Sequence, residues 1–336
     1  MSIRPKILEA LRYAAMAPSG HNAQPWTFVM EEDGVAVFPD LTRRLPVADP
    51  DDRELWVGLG SALENLVIAA RHTGLAPRVE YFPPTHASAL MVHFGAEERE
   101  GTDDAALFAA IPARHVTRRA YDGRPIPAEQ LATLAGAAVG DGVSVHTATL
   151  GTQIDAIAAL VEEATRVQFK SGAFLAELAS WVRFNKREAH DATDGLSYKT
   201  LGRMATPRWL GATFLRRLTS AGREAKRAGR LVRGSSAVLV FSARDADPRH
   251  WVEVGRTFER VALTATALGL RHAHASAACE VVGVRRKLQE YLGLGQAEPL
   301  LVVRLGYARP RPISRRRPLE EMVVRRPVKV AATPSG

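Results

Sequence analysis

Residues 60-GSALENLVIAARHTGL-75 and 255-GRTFERVALTATALGL-270 superpose without a gap. Gly60, Glu64, Ala70, Gly74 and Leu75 match Gly255, Glu259, Ala265, Gly269 and Leu270. The first stretch belongs to a helix expected over Leu55–Thr73 and stopped by Gly74, a normal C-terminal glycine. A second correspondence lies upstream of each: Leu8, Leu11, Ala14 and Ala15 line up with Leu131, Leu134, Ala137 and Ala138. The chain therefore reads as a diverged duplication. The expected fold is α+β, two related halves (residues 1–110 and 111–336) packed as a single-chain pseudo-dimer.

Working outward, apolar residues at Ile7, Leu8, Leu11, Ala14 and Ala15 predict a helix over Lys6–Met16. Trp26–Met30 and Val35–Phe38 alternate as a hairpin around an Asp33-Gly34 turn, and Arg78–Phe82 and Ala89–Phe94 read as strands. In the second half, residues 170–234 are too long for a plain connector and read as an insertion able to cover a site.

The halves are unequal where the first helix ends. The first half has 17-APSGHNAQPW-26, crowded with Ser, His, Asn, Gln and Trp; its counterpart, 137-AAVGDGVSVHTA-148, lacks that polar set. A helix exit alone needs no such residues, so the asymmetry points to one functional site, served by one copy of the motif.

Composition narrows the classes. The 336 residues carry 45 Lys and Arg against 36 Asp and Glu, a formal charge of +9, concentrated at Arg216–Arg233 and Arg304–Arg326. Neither basic cluster is interleaved with aromatics and no nucleic-acid module is recognisable, so solvated surface is the expected role and nucleic acid is not an expected partner. Cys279 is the only cysteine, which excludes an intrachain disulfide and a cysteine-rich metal site. No apolar run approaches the roughly 18 to 20 residues of a membrane span. A soluble cytoplasmic protein with no membrane partner is expected.

Three clusters suit an anion. In 114-RHVTRRAYDG-123, Arg114 and Arg118 offer planar guanidinium groups that match phosphate oxygens in a two-pronged fashion. In 315-RRRPLEE-321, Arg315 and Arg317 would share one side of an extended segment. The third is APSGHNAQPW, with Ser19 and Asn22 beside backbone N–H groups. The run Gly58–Leu63 lacks the third glycine of a dinucleotide fingerprint, and there is no nucleophile elbow or Walker loop. His272 and His274 fall on one face of an expected strand, but two ligands are too few for a metal site, and none is expected.

Taken together, these residues resemble the flavin-dependent nitroreductase superfamily. APSGHNAQPWTF is similar to its P-S-x-x-N-x-Q-P-W signature, RHVTRR to its R-x-[ST]-x-[RK] phosphate motif, and LGYARPRPISRRRPLEEMVV to its ending. A duplicated chain carrying each motif once resembles the twin-repeat, Acg-type branch. The resemblance implies one FMN enclosed between the halves, in a monomeric pseudo-dimer. Arg114, His115, Arg118, Arg315 and Arg317 would hold its phosphate and ribityl chain. Pro18, Ser19, His21 and Asn22 would approach the flavin, and the backbone of Ala275 and Ser276 would face its N5 edge. Val116 departs from the motif, which has Ser or Thr there. The implied reaction passes hydride from NAD(P)H to flavin N5 and on to a nitroaromatic or quinone-type acceptor, with no catalytic acid or base assigned. The alternative is a flavin-binding or flavin-sequestering protein with little turnover.

Overall fold

The computed structural model describes residues 3–32, 34–96, 104–138, 140–309 and 312–325. Asp33 of the expected turn, Pro310 and Arg311 of the tail motif, Arg326 of the basic cluster and Val139 lie outside the described residues.

The first half runs α1 (Arg4–Ala14), β1 (Trp26–Met30), β2 (Gly34–Pro39), α2 (Arg53–His72), β3 (Leu75–Tyr81), β4 (Leu90–Ala96) and α3 (Ala105–Ala110). A proline in its first turn starts α1, where the missing N–H costs nothing, and its Ile7, Ala10, Leu11 and Ala14 are buried. Almost every residue of α2 from Leu55 to Ala70 is buried, which marks it as a central helix rather than a surface one.

The second half begins with α4 (Ala128–Gly136) and β5 (Val143–Ala148), followed by α5 (Gly151–Lys170), α6 (Gly172–Trp181), β6 (Val182–Arg183), α7 (Lys186–Asp191), β7 (Leu196–Ser197), α8 (Arg208–Thr213), a π turn at Phe214–Leu218, and α9 (Ala221–Arg233). It continues with β8 (Ala237–Ala243), α10 (Pro248–Ala267), β9 (Arg271–His274), α11 (Ala277–Glu280), α12 (Val282–Tyr291), β10 (Glu298–Gly306) and β11 (Val323–Arg325).

The larger sheets repeat one another. One is ordered β11-β1-β2-β4-β3 and the other β5-β8-β10-β9. With β5, β8, β9 and β10 set against β1, β2, β3 and β4, the strand order is the same in both. The matching helices α2 and α10 cross where the aligned glycines Gly60 and Gly255 meet. A Cβ on Gly60 would strike the Val252 carbonyl, and one on Gly255 would strike that of Val57. Ser61 Oγ then donates across the crossing to the Gly255 carbonyl at 3.2 Å.

Two boundaries differ from the sequence expectation. The segment that replaces a tight β1–β2 turn in the second half is the whole β5–β8 connection, starting at α5 rather than near residue 170. Its ends are core: Ile157, Val161 and Val232 of α5 and α9 pack with Val238, Val240 and Val302 of the second sheet. The middle, α6 to the π turn, packs Phe174, Leu175, Phe184 and Leu215 into a small core that also takes in Leu45 and Ala48 of the first half. A split at residues 110/111 also does not divide the sheets. The tail returns so that β11 pairs in parallel with β1, Phe28 opposite Val323, while Val116 bridges His272 beside β9.

Candidate functional site

The loop leaving α1 is bent by three non-glycine residues at positive φ: His21 at 49°, Asn22 at 58° and Gln24 at 53°. Such backbone costs free energy and persists only where the surroundings over-determine it. Here side chains supply the constraint. The Gln24 N–H donates to Ser19 Oγ at 2.8 Å, and Gln24 Nε2 donates to the Thr193 carbonyl at 3.0 Å. Gln24 Oε1 accepts from the Arg317 N–H at 2.8 Å. Asn22 Nδ2 donates to the Gly195 carbonyl at 3.1 Å, and Asn22 Oδ1 accepts from Arg316 at 2.9 Å. Asn22 and Gln24 thus fasten loop, insertion and tail together. Pro18, Ser19 and His21 line the wall of a cleft, and Asn22 lines its narrow end as well.

That cleft has a main chamber of about 790 Å³ and a narrower end of about 520 Å³, both counted with their open mouths and sharing Pro18, Ser19, Arg118 and His274 as walls. The size is that of a small-molecule site. The chamber is apolar on one side, with Val57, Gly58, Phe258 and Leu301, and Leu196 of the insertion closes it from above.

Cations gather at the narrow end. Arg114, His115, Arg118 and Arg316 all line it. Arg114 is compensated: its Nε lies 3.1 Å from Glu259 Oε1, both groups buried. Arg118 has no hydrogen bond or ion pair among the described residues, and burial and Arg304 push its pKa down to about 10. Arg316 is pushed down to about 9 by burial and Arg114, against the weaker pull of Glu259, and its Nε is buried without a partner. A guanidinium keeps its proton in a protein, so these shifts express a cationic pocket short of negative charge.

The structure corrects the tail assignment. Arg316, which the sequence reading passed over, enters the cleft. Arg315 donates to the His190 carbonyl, and Arg317 lies near Asp40 and Glu321 at 3.9 and 3.5 Å. The alternation argument held for the pair but chose the wrong side. Ala275 also departs from expectation, because its N–H is used by the Val302 carbonyl at 2.7 Å. Ser276 does line the chamber. Thr117 is fully buried away from the cleft lining, so its hydroxyl does not stand in for the one absent at Val116.

In the chamber's remaining titratable groups burial disfavours the charged form. His21, with Nε2 buried and unpartnered, is pushed down to about 4 by burial and then by Arg118. His274 is exposed only towards the cleft, and burial, Arg118 and Arg114 push it down to about 3. On the far wall Glu54 is raised well above the usual carboxyl range by burial and by Glu280, with which it shares a hydrogen bond. Glu280 is raised by burial too and accepts from Gln168. Glu54, Glu280 and His274 had no role in the sequence reading, since nothing local in sequence marks which polar groups will share a chamber.

No protein-family model matches the chain. Among curated proteins, "Putative NAD(P)H nitroreductase Rv3131" of Mycobacterium tuberculosis is 28% identical over 320 residues, covering 93% of this chain and 89% of that protein. "Putative NAD(P)H nitroreductase acg" of the same organism is 26% identical over 326 residues, covering 94% of each. The agreement runs end to end, through both halves and the insertion. The chain is thus similar, over more than nine-tenths of its length, to two proteins named as nitroreductases, one of them acg. Solved nitroreductases also align with it. One, with bound FMN, from Desulfitobacterium hafniense is 15% identical, covers 64% of this chain and 96% of its own, and has a TM-score of 0.41. Another, NfnB from Mycobacterium smegmatis in complex with NADPH, is 16% identical, covers 60% and 87%, and has a TM-score of 0.38. Within this nitroreductase-like chain, the motif residues of the first half and of the 114–118 segment share one cleft, and the tail contributes to it through Arg316.

Proposed function

We propose that the chain is an FMN-dependent NAD(P)H oxidoreductase with a nitroaromatic or quinone-type acceptor, and that its halves are an internal duplication enclosing a single cofactor. The observation that carries this reading is the unpaired guanidinium of Arg118 beside Arg316 at the closed end of an apolar chamber. A phosphomonoester supplies the missing negative charge there, and charge-assisted hydrogen bonds to guanidinium groups are the strong ones. The residues present therefore fit FMN: Arg118, Arg316 and His115 would hold the phosphate, with Arg114 behind them on Glu259. Ser19, His21 and Ser276 would meet the ring system in the wider chamber. Bound FMN would supply hydride transfer between a nicotinamide and the acceptor, and the protein supplies position, dryness and field.

One observation favours a second reading, flavin sequestration with little turnover. The insertion is tied over the loop by Asn22–Gly195 and Gln24–Thr193 hydrogen bonds and by an ion pair between Arg43 and Asp194, which restricts entry of a nicotinamide. Anaerobic mixing of the flavin-loaded protein with NADH or NADPH separates the two. Bleaching of the flavin absorbance is expected; oxidised flavin persisting with both nucleotides would leave only sequestration.

A further inference from the structure

The outer face of the insertion has a composition unlike the rest of the surface. Residues 203–233 carry nine Lys and Arg and a single acid, Glu224. Arg216, Arg217, Arg223, Lys226 and Arg230 are exposed and form no ion pair among the described residues. Beside them stand large apolar side chains in water: Met204 is 86% exposed, Trp209 72%, Leu218 61%, Phe214 49% and Leu210 44%. Leu210, Phe214 and Leu218 recur every fourth residue along α8 and the π turn, so they project together. Leu215 is buried beneath and anchors that helix to the insertion's small core.

A patch of this kind on a monomer's surface marks an interaction site. We infer that the 203–233 face docks on an anionic lipid surface, Trp209, Phe214 and Leu218 entering the headgroup–acyl boundary while the surrounding arginines meet lipid phosphates. Charge complementarity and side-chain chemistry select this occupant. A second copy would oppose the same cations across a two-fold interface and be repelled. Nucleic acid would use the arginines but gives Met204, Leu210 and Leu218 nothing to bury against. An interfacial helix needs both components, an apolar face and flanking basic residues. The inference departs from the expectation of no membrane partner, which rested on the lack of a span; among the described residues no helix is long and apolar enough to cross a membrane, and docking requires none. It is independent of what the cleft binds.

The test is co-sedimentation of the full chain with vesicles of phosphatidylcholine alone and of phosphatidylcholine mixed with phosphatidylglycerol. Binding is expected only to the mixed vesicles. R216Q/R217Q should weaken it roughly 30-fold, and W209S/F214S should abolish it. Because all four side chains are exposed, thermal melts of the variants should match the parent, and brominated lipid should quench Trp209 emission in the parent and not in W209S. Equal binding to neutral vesicles, no binding to either, retained binding in W209S/F214S, or binding to duplex DNA in place of vesicles would each overturn the inference.

Discussion

The two sides of the α2–α10 crossing are built from aligned positions and end in opposite states. On the cleft side of the crossing α2 carries Gly58 and Ser61, with Asn65 buried behind them; the equivalent positions of α10 are Glu253, Arg256 and Arg260. Gly58 and Ser61 leave room and form a chamber wall. On the α10 side, Arg256 and Arg260 reach the buried carboxylate of Glu64 at 2.9 and 2.6 Å, Arg260 also reaches Asp104 at 2.6 Å, and Tyr81 donates to Glu253. The matching glutamate on the cleft side, Glu259, has Asn65 and Arg114 as neighbours instead. The same helix pair therefore yields an apolar chamber on one side and, on the other, a salt-bridged face that lines an open surface depression. Side-chain volume and charge at aligned positions contribute to that difference.

Transplanting the salt-bridged face should break this contrast most severely. S61R places the side chain of that face on the chamber wall, and FMN affinity is expected to fall roughly 100-fold or more, about 3 kcal/mol, measured by equilibrium dialysis of the flavin. The reciprocal R256S should leave FMN affinity unchanged and lower the urea midpoint. If S61R retained FMN normally, the chamber would not be the flavin site.

A smaller effect is expected where the cleft holds charge. R118A should cost about 1.5 to 3 kcal/mol, or roughly 10- to 150-fold in FMN affinity, while R260A on the salt-bridged side should not change it. The apo form of R118A should melt no lower than the parent, because Arg118 has no anion to lose. Unchanged FMN retention in R118A would show the phosphate to lie elsewhere.

The gentlest test is pH. His21 has a folded pKa of about 4, so between about pH 6.5 and pH 4 the unfolded chain binds its proton and the folded chain does not. Stability is therefore lost as pH falls through that window, and little more is lost below it. From pH 7 to pH 5 the share of the loss due to His21 should be about 1 to 2 kcal/mol, read as the difference between parent and H21Q in urea unfolding of the apoprotein. H21Q should remove that share and leave the loss that His274, pushed down to about 3, adds over the same window. A pH dependence identical in H21Q would place the titrating group elsewhere, for example at His274.

Much of this was legible in the sequence because it is local or repeated. In the sequence the glycine match at Gly60 and Gly255 reads only as a sign of repetition; the structure adds that the two glycines let α2 and α10 approach closely. The polar excess of APSGHNAQPW over its counterpart announced a single site, and the side chains at Ser61 and Asn65 already differed from Arg256 and Arg260. What failed was direction. Three arginines in a row, Arg315 to Arg317, alternate in an extended segment, but alternation does not say which face is inward. That was decided by Gln24 accepting the Arg317 N–H and Asn22 accepting from Arg316, partners almost three hundred residues away.

The sequence by itself determined the α+β plan, the helix and strand positions of the first half to within a few residues, and a motif set that lines one cleft, because periodicity, turn chemistry and repetition are properties of neighbouring residues. The tertiary structure alone decided which arginine enters the cleft, that Asn22 and Gln24 fasten loop, insertion and tail together, that Glu54, Glu280 and His274 share the chamber, and that the tail completes the first sheet. These depend on long-range contacts, and burial acts on a side chain only once the chain has closed around it.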